Sequence, residues 1–553
     1  MRNIYRKTII ILVAACMLIL LWMVTDWNTK SSFQHDGTIT FSADSGFYSD
    51  DIVLEMSTAS GEIYYTLDST EPNEDSYLYS GPITISDVSD NANVYSSNTD
   101  VWYGFREDLK EYISEPLEPY EIPEKPVDKA TVLRAVSIDE YGNKGKEYIK
   151  VYFVGYDKKP GYDNMNIVSI VTAPDNLFDR KDGIYVLGNV FNNHLETLND
   201  LSEFDYSKAN YSQRGKDWKR KANISIWDKD RNMATDKCKI SVQGGGSRIS
   251  LPKSINVNFD TKSTIYSELG MAYDLDGINL FGGIGDRTKM LDCMINSMSS
   301  DLECATRSYS PCQLFLNGEY WGMYYITERY RAPYFSNRYG VDGSNVISVK
   351  NGIIELGKEK DLDSYSKLID DSVRKDLSED ENYQEVLNHI DIESCLDYYA
   401  LEIYIENTDW PNNNYAMWRT KNISEGDAYF DAKWRWIFYD ANSGMMLDNP
   451  QNDMIEYAAG KDEFFCSMMC NEEFRSSLEE RLVHLANNTF SPDRVDEFID
   501  EYEDTMRCPM AKDYQRYYGD NLDEEDFING CERVRSFFRE RHDYIIETYG
   551  DEE

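Results

Sequence analysis

What most limits the fold of this chain is a change of hydrophobic period along its length. From Thr38 to about Tyr156 apolar and polar residues alternate in short runs, broken at Gly46, Ser60-Gly61, Pro72-Asn73 and Gly142-Asn143. Period-two alternation with turn residues at this spacing predicts an all-β sandwich. After the stretch YDKKPGYDN (156–164) strand-like and helix-like segments mix, and the C-terminal part reads as helical. TFSPDRVDEFIDEY opens one of those helices, with Ser491 placed to cap and Pro492 at the first helical position. The expected order is therefore a strand-rich domain over 36–156 and a second, mixed domain over 163–549.

A chain of 553 residues with 41% apolar and 13% aromatic content can bury more than one core. Its net charge of −43 leaves no basic surface for a phosphate backbone, so nucleic acid is excluded as a partner. Cations or basic substrates suit such a surface better. Five scattered histidines and ten cysteines without a C-x-x-C pair give no zinc site.

At the N-terminus, Arg2, Arg6 and Lys7 precede an uncharged apolar run from Thr8 to Val24. The run predicts a transmembrane helix within residues 1–27, and the flanking charges place the N-terminus in the cytoplasm. Everything after Asp26 would then lie outside a cell membrane crossed once; a cleaved signal peptide is the alternative reading.

Inside the mixed region, DRTKMLDCMINSMSSDLECA (286–305) sets Met290, Met294, Met298 and Leu302 at helical spacing, a core stripe. CQLFLNGEYWGMYYITERY (312–330) is two strands around Asn317-Gly318, a hairpin. Further on, DIESCLDYYALEIYIEN (391–407) reads as a helix that delivers Asp409 to its C-terminal end. NYAMWRT and KWRWIFYDANSG follow as strands, and if they pair antiparallel, Asn413 and Asn414 lie beside Asp440.

Carboxylate and amide oxygens grouped in this way suit a hard cation such as Mg²⁺ together with phosphate oxygens. The five-residue step from Asp409 to Asn414, then a hairpin, then Asp440, repeats the order of the protein-kinase catalytic loop and metal aspartate. A capping network is the plainer reading of such a loop, and a glycosidase using Glu406 with Asp409 is another. KISVQGGGSRISLPKSINVNF (239–259) is a strand, a glycine-rich turn and a second strand beginning near Lys253. Backbone N–H groups of Gly244–Ser247, with Arg248 and Lys253, can cradle phosphates, although no Walker A pattern is present.

Two resemblances add to this reading. SGFY, IYYTLDSTEP, YSGPITI and LRAVSIDEYGNKG resemble the β-sandwich at the C-terminus of chitobiase and β-hexosaminidases. That likeness implies an accessory module for display or attachment, with cell-wall polysaccharide as a partner. The Tyr-, Pro- and Glu-rich segment 102–128 departs from the compact pattern, and its tyrosines read as packing residues, with glycan binding as the alternative.

NLFDRKDGIYVLGNVF (176–191), QGGGSRISLPKSINV (243–257), LFLNGEYWGMYYITERY (314–330), NTDWPNNNYAMWR (407–419) and KWRWIFYDANSGM (433–445) together resemble the spore coat protein CotH kinase family. The family is an atypical branch of the protein-kinase-like fold. The resemblance implies ATP with Mg²⁺ or Mn²⁺ and transfer to serine hydroxyls of a protein, spore coat proteins in the best-known case. By it Asp409 is the catalytic aspartate, Asp440 the catalytic-site metal aspartate, and Asn414 a further metal ligand. Lys253 is the leading ATP-binding residue, with Gln243, Arg248, Arg287 and Glu328 beside it, and Asn442 stands where many relatives carry a second acid.

The sequence thus leads to a multidomain chain: a transmembrane helix, an all-β sandwich, and an α+β atypical protein-kinase-like domain with a helical C-terminal part. The expected function is a membrane-anchored protein kinase acting on basic, serine-containing proteins. A non-catalytic cell-surface scaffold or carbohydrate-binding protein is the alternative.

Overall fold

The computed structural model describes residues 37–550 except 114–116, 264, 266–274, 425–427 and 442–448. Short strands make up the first domain. β1 (Ile39–Phe41) pairs with β4 (Met56–Thr58), and β3 (Ile52–Leu54) with β7 (Ile83–Ile85). β2 (Gly46–Tyr48), β9 (Tyr148–Val154), β8 (Thr131–Ile138), β5 (Glu62–Thr66) and β6 (Tyr77–Leu78) form a five-stranded sheet in that order. Leu54, Ile63, Ile85, Leu133 and Tyr152 meet in the core of this β domain. Alternation decides which side chains do so: in β5 Ile63 is buried between exposed Glu62 and half-buried Tyr64.

A closed barrel follows, in the order β10 (Asn166–Val171), β11 (Arg220–Trp227), β12 (Met233–Val242), β13 (Ile255–Ser263), β14 (Leu275–Phe281), β16 (Glu319–Thr327), β15 (Tyr309–Leu316), with β15 returning parallel to β10. Closure leaves no unpaired edge. The β15–β16 hairpin turns at Asn317 (φ 49°) and Gly318 (φ 86°), the left-handed pair that a two-residue hairpin needs. Beyond the barrel, β17 (Val346–Lys350), β18 (Ile353–Leu356), β19 (Ala416–Thr420) and β20 (Arg435–Ile437) form a second sheet ordered β18-β17-β19-β20. Met290, Met294 and Met298 are buried along helix Leu291–Met298, as their spacing predicts. Helix Pro492–Tyr517 does carry Pro492 in its first turn, but Ser491 makes no side-chain cap bond to it.

The two domains share buried surface. Phe153 of the β domain stacks edge-on against Phe315 and Trp227 of the barrel, with ring centroids 5.0 and 5.3 Å apart. Val101, Trp102, Leu109 and Tyr120, from the segment between β7 and β8, lie in the main core with the barrel and the C-terminal helices. The aromatic residues of that insertion therefore pack, as their composition suggests. Glu319 fastens the same segment: buried, it accepts the backbone N–H groups of Val94, Tyr95 and Ser96 at 2.6, 3.1 and 2.7 Å.

Glu319→Ala strands three donors at once. We expect it to cost about 3 kcal/mol, since each buried donor left unpaired costs roughly 1–3 kcal/mol. Urea denaturation measures this, and limited proteolysis should then cut between β7 and β8; a loss below about 0.5 kcal/mol would mean that water replaces the carboxylate.

The expected transmembrane helix falls on residues 1–27, outside the described residues. Among the described residues no helix is long and apolar enough to cross a membrane. Helices Pro492–Tyr517 and Glu524–Tyr549 have the length, at 26 residues each, but carry Asp, Glu and Arg throughout, so neither can shed its polar face in lipid. The fold class is corrected accordingly to a β domain followed by a domain of mixed helices and strands, and the single-pass membrane location loses its support.

Candidate active site

The opening stretch of the site is built by the end of one helix. Helix Ile392–Tyr404 starts at Asp391, whose carboxylate accepts the Ser394 N–H. It stops because Glu406 takes a left-handed conformation (φ 53°) and is held there by the C-terminal helix. Arg541 pairs with Glu406 at 2.8 Å and donates to the carbonyls of Ile403, Tyr404, Pro450 and Asn452. Glu406 is thus spent on Arg541 and on the Asn452 amide groups, which removes it from any paired-carboxylate chemistry with Asp409.

Asn407 carries the order into the loop. Its Nδ2 donates to the wholly buried Glu402 at 2.8 Å, and its Oδ1 accepts the Asp409 N–H at 3.2 Å. Burial pushes the Glu402 carboxyl well above the ordinary carboxylate range. The Asp409 carboxylate then accepts Asn413 Nδ2 on one oxygen and Asn414 Nδ2 on the other, both at 3.0 Å.

β19 and β20 pair antiparallel, Ala416 opposite Ile437, which brings the start of one strand to the end of the other. Asn414, left-handed at φ 59°, reaches the Asp440 carbonyl with its Nδ2 at 3.3 Å. Its own carbonyl accepts the Tyr398 hydroxyl at 3.2 Å. Asp440 is itself left-handed (φ 67°), a strained conformation for a residue with a side chain. Asp409, Asn414 and Asp440 therefore form one hydrogen-bonded group. Asn442 lies outside the described residues.

Three residues that pattern reading passes over join this group. Asp292, in helix Leu291–Met298, accepts the Ala441 N–H on Oδ1 at 2.9 Å, while its buried Oδ2 has no partner among the described residues. Burial first, and then the nearby Asp440 charge, push its carboxyl up to about 7. Lys350, at the end of β17, lies 4.0 Å from the Tyr439 ring centroid; burial lowers its ammonium, against the pull of Asp440. Arg307 donates Nε and Nη2 to the Tyr309 hydroxyl at 2.9 and 2.6 Å. Burial opposes its charge, but Tyr309, Tyr330 and Asp292 hold the guanidinium above its ordinary value. The signal for Asp292 was a lone carboxylate on an apolar helix face; nothing local marks Arg307 or Lys350.

The glycine-rich turn is filled by its own side chains. Lys253 is completely buried, and its ammonium donates to the carbonyls of Arg248 and Ser250 at 2.7 and 3.3 Å, 3.9 Å from the Tyr211 ring centroid. Burial drives it well below the ordinary lysine range. Arg248 donates to the carbonyls of Gly244, Tyr211 and Gln213, and burial lowers it to about 10. The Gln243 N–H is bonded to the Ser254 carbonyl. Arg287 pairs with Glu118 at 3.1 Å on the surface. Glu328 accepts the Ser308 N–H at 3.0 Å, next to Arg307. The hydrogen bonds of Lys253, Arg248 and Gln243 lie within this loop and its neighbours, whereas Asp409, Asn414 and Asp440 hold one another.

Asp292 and Asp440 fit a divalent cation. A buried carboxylate raised by burial and by the neighbouring Asp440 charge, with an oxygen that has no partner among the described residues, is what a cation relieves. Among the described residues there is no group of three or more His, Cys, Asp or Glu side chains placed to hold a metal. Amide oxygens such as Asn414 Oδ1 and the ligand's own oxygens would have to complete the shell.

A helix, an Asp…Asn loop and a hairpin ending in a second aspartate follow the order of a kinase catalytic loop and metal aspartate. Residues 240–545 match the family model described as CotH kinase protein, and residues 52–150 match that described as Fn3 associated. The first match covers more than half of the chain, which belongs to the CotH kinase family, with the β domain at its N-terminal side. No curated protein matches the chain.

Proposed function

We propose that this protein transfers the γ-phosphoryl group of ATP to serine hydroxyls of a protein. The observation that carries the reading is the hydrogen-bonded group Asp409–Asn414–Asp440 beside the orphaned Asp292 oxygen. When bound, Mg²⁺ or Mn²⁺ with ATP supplies a polarised phosphoanhydride and neutralises charge that develops on its oxygens. Asp409, kept in place by Asn413 and Asn414, orients the acceptor hydroxyl and takes its proton. Asp440, Asp292 and Asn414 hold the cation. Lys350 and Arg307, whose charges act on Asp440 and Asp292, bind the phosphate oxygens, a role from which Lys253 is withdrawn by complete burial and by its bonds to the Arg248 and Ser250 carbonyls. The net charge of −43 favours basic, serine-containing acceptors.

The test is label transfer from γ-labelled ATP, with Mg²⁺ or Mn²⁺, to a basic serine-containing protein. Phosphoserine in the acceptor is the expected product. Absence of transfer together with absence of metal-dependent nucleotide binding would sink the reading and leave a scaffold. Lys350→Met should raise the ATP KM about tenfold or more, the loss of one charge-assisted contact; an unchanged KM would remove Lys350 from the phosphate site.

A further inference from the structure

A cleft of about 320 Å³ lies between the Glu121–Asp128 segment and the last turn of helix Pro492–Tyr517, far along the chain from the Asp409 loop. Its size falls in the range of small-molecule sites, roughly 300–1,000 Å³. Arg516 lines it and is only 5% exposed. The guanidinium carbon sits 4.8 Å from the Trp321 ring centroid and 4.7 Å from that of Tyr517.

Arg516 differs from the other buried arginines. Arg134 pairs with Glu147, Arg435 with Asp431, Arg535 with Asp496 and Arg541 with Glu406, while Arg248 is spent on carbonyls. Arg516 makes no hydrogen bond or ion pair with a described residue, and its Nε is buried without an acceptor. The two rings satisfy the face of the guanidinium and leave its N–H edge bare. Of that edge only Nε is shut off from solvent; the Nη groups open on the cleft, so their acceptor comes from outside the chain.

The carboxylates close by are already committed. Asp128 accepts from Lys512 and from the Tyr162 hydroxyl, both at 2.7 Å, Glu121 accepts from Asn521 at 2.8 Å, and Asp513 accepts the Met323 N–H at 2.8 Å. At the rim, Glu124 and Asp520 are exposed. Acidic side chains at the rim repel a multiply charged anion but welcome hydroxyl or ammonium donors.

We propose that this cleft binds a small monocarboxylate that also carries hydrogen-bond donors, an acidic sugar or an amino acid, its carboxylate on Arg516 and its donors on Glu124 and Asp520. A planar two-oxygen anion matches the guanidinium fork, and the ring stack holds that fork in place.

The experiment is calorimetric titration of the whole protein with glucuronate and with alanine as separate probes, with glucose and inorganic phosphate beside them. One of the two acids should bind one to one, and Arg516→Gln should weaken it at least about tenfold. Gln515→Trp, an exposed helical position on the cleft wall, should block binding with the melting temperature unchanged, and it decides the matter if Arg516→Gln does not fold. Silence from both acids at millimolar concentration, phosphate binding tighter than either, or binding that survives Gln515→Trp would each overturn the proposal.

Discussion

Asp409→Ala is expected to cut phosphoryl transfer by about a thousandfold while nucleotide binding persists, in line with the roughly 10²–10⁴-fold contribution of a positioned acid–base group. The two oxygens of Asp409 are engaged by Asn413 and Asn414, so its position is set before any substrate arrives. Removing it frees both amides and leaves the acceptor hydroxyl without a base. Asp440→Ala should act differently, because its charge acts on Asp292 at the proposed cation site: metal-dependent nucleotide binding itself should fail. Steady-state kinetics with equilibrium nucleotide binding separates the two. If both variants lost binding equally, Asp409 would be a metal ligand instead of a base; if neither lost activity, the proposed site would be wrong.

Arg541→Ala should be the most destabilising single substitution near the site. Arg541 and Glu406 are 1% and 0% exposed, and the arginine also donates to four carbonyls. Removing one partner of a buried pair leaves the other charge uncompensated, at a cost of about 3–5 kcal/mol. The helix Ile392–Tyr404 would then lose the anchor that turns the chain into the Asp409 loop. Urea denaturation gives the stability, and label transfer by the folded fraction gives the effect on the site. Arg541→Met with Glu406→Gln should recover part of the loss, since neither charge then remains; a single variant as stable as the wild type would show that water reaches Glu406.

The candidate site is legible in the sequence where its geometry rests on local rules. The helix before Asp409, the two strands that follow, and the five-residue step to Asn414 are all readable from period and spacing, and the hairpin puts Asn414 against Asp440. The Asn317-Gly318 hairpin is readable for the same reason, since few residues take consecutive left-handed conformations. Family membership follows from such stretches in order along the chain.

What local pattern leaves open is where a polar side chain spends its hydrogen bonds. Lys253 follows a glycine-rich turn and has the look of a phosphate ligand, yet tertiary packing buries it against Tyr211 and ties it to backbone carbonyls. Asp292 sits in a methionine-rich core helix, and only the fold brings it to Ala441 and Asp440, far along the chain. Lys350 and Arg307 reach the same place from β17 and from the loop before β15. The sequence alone determined the order of strands and helices, the turns, and the two aspartates with their asparagines, because each depends on neighbours a few residues away. Tertiary structure decided which charges meet, which are buried and spent, and that the β domain shares a core with its neighbour, because these depend on packing between separate elements, as between Asp292 and Ala441, 149 positions apart.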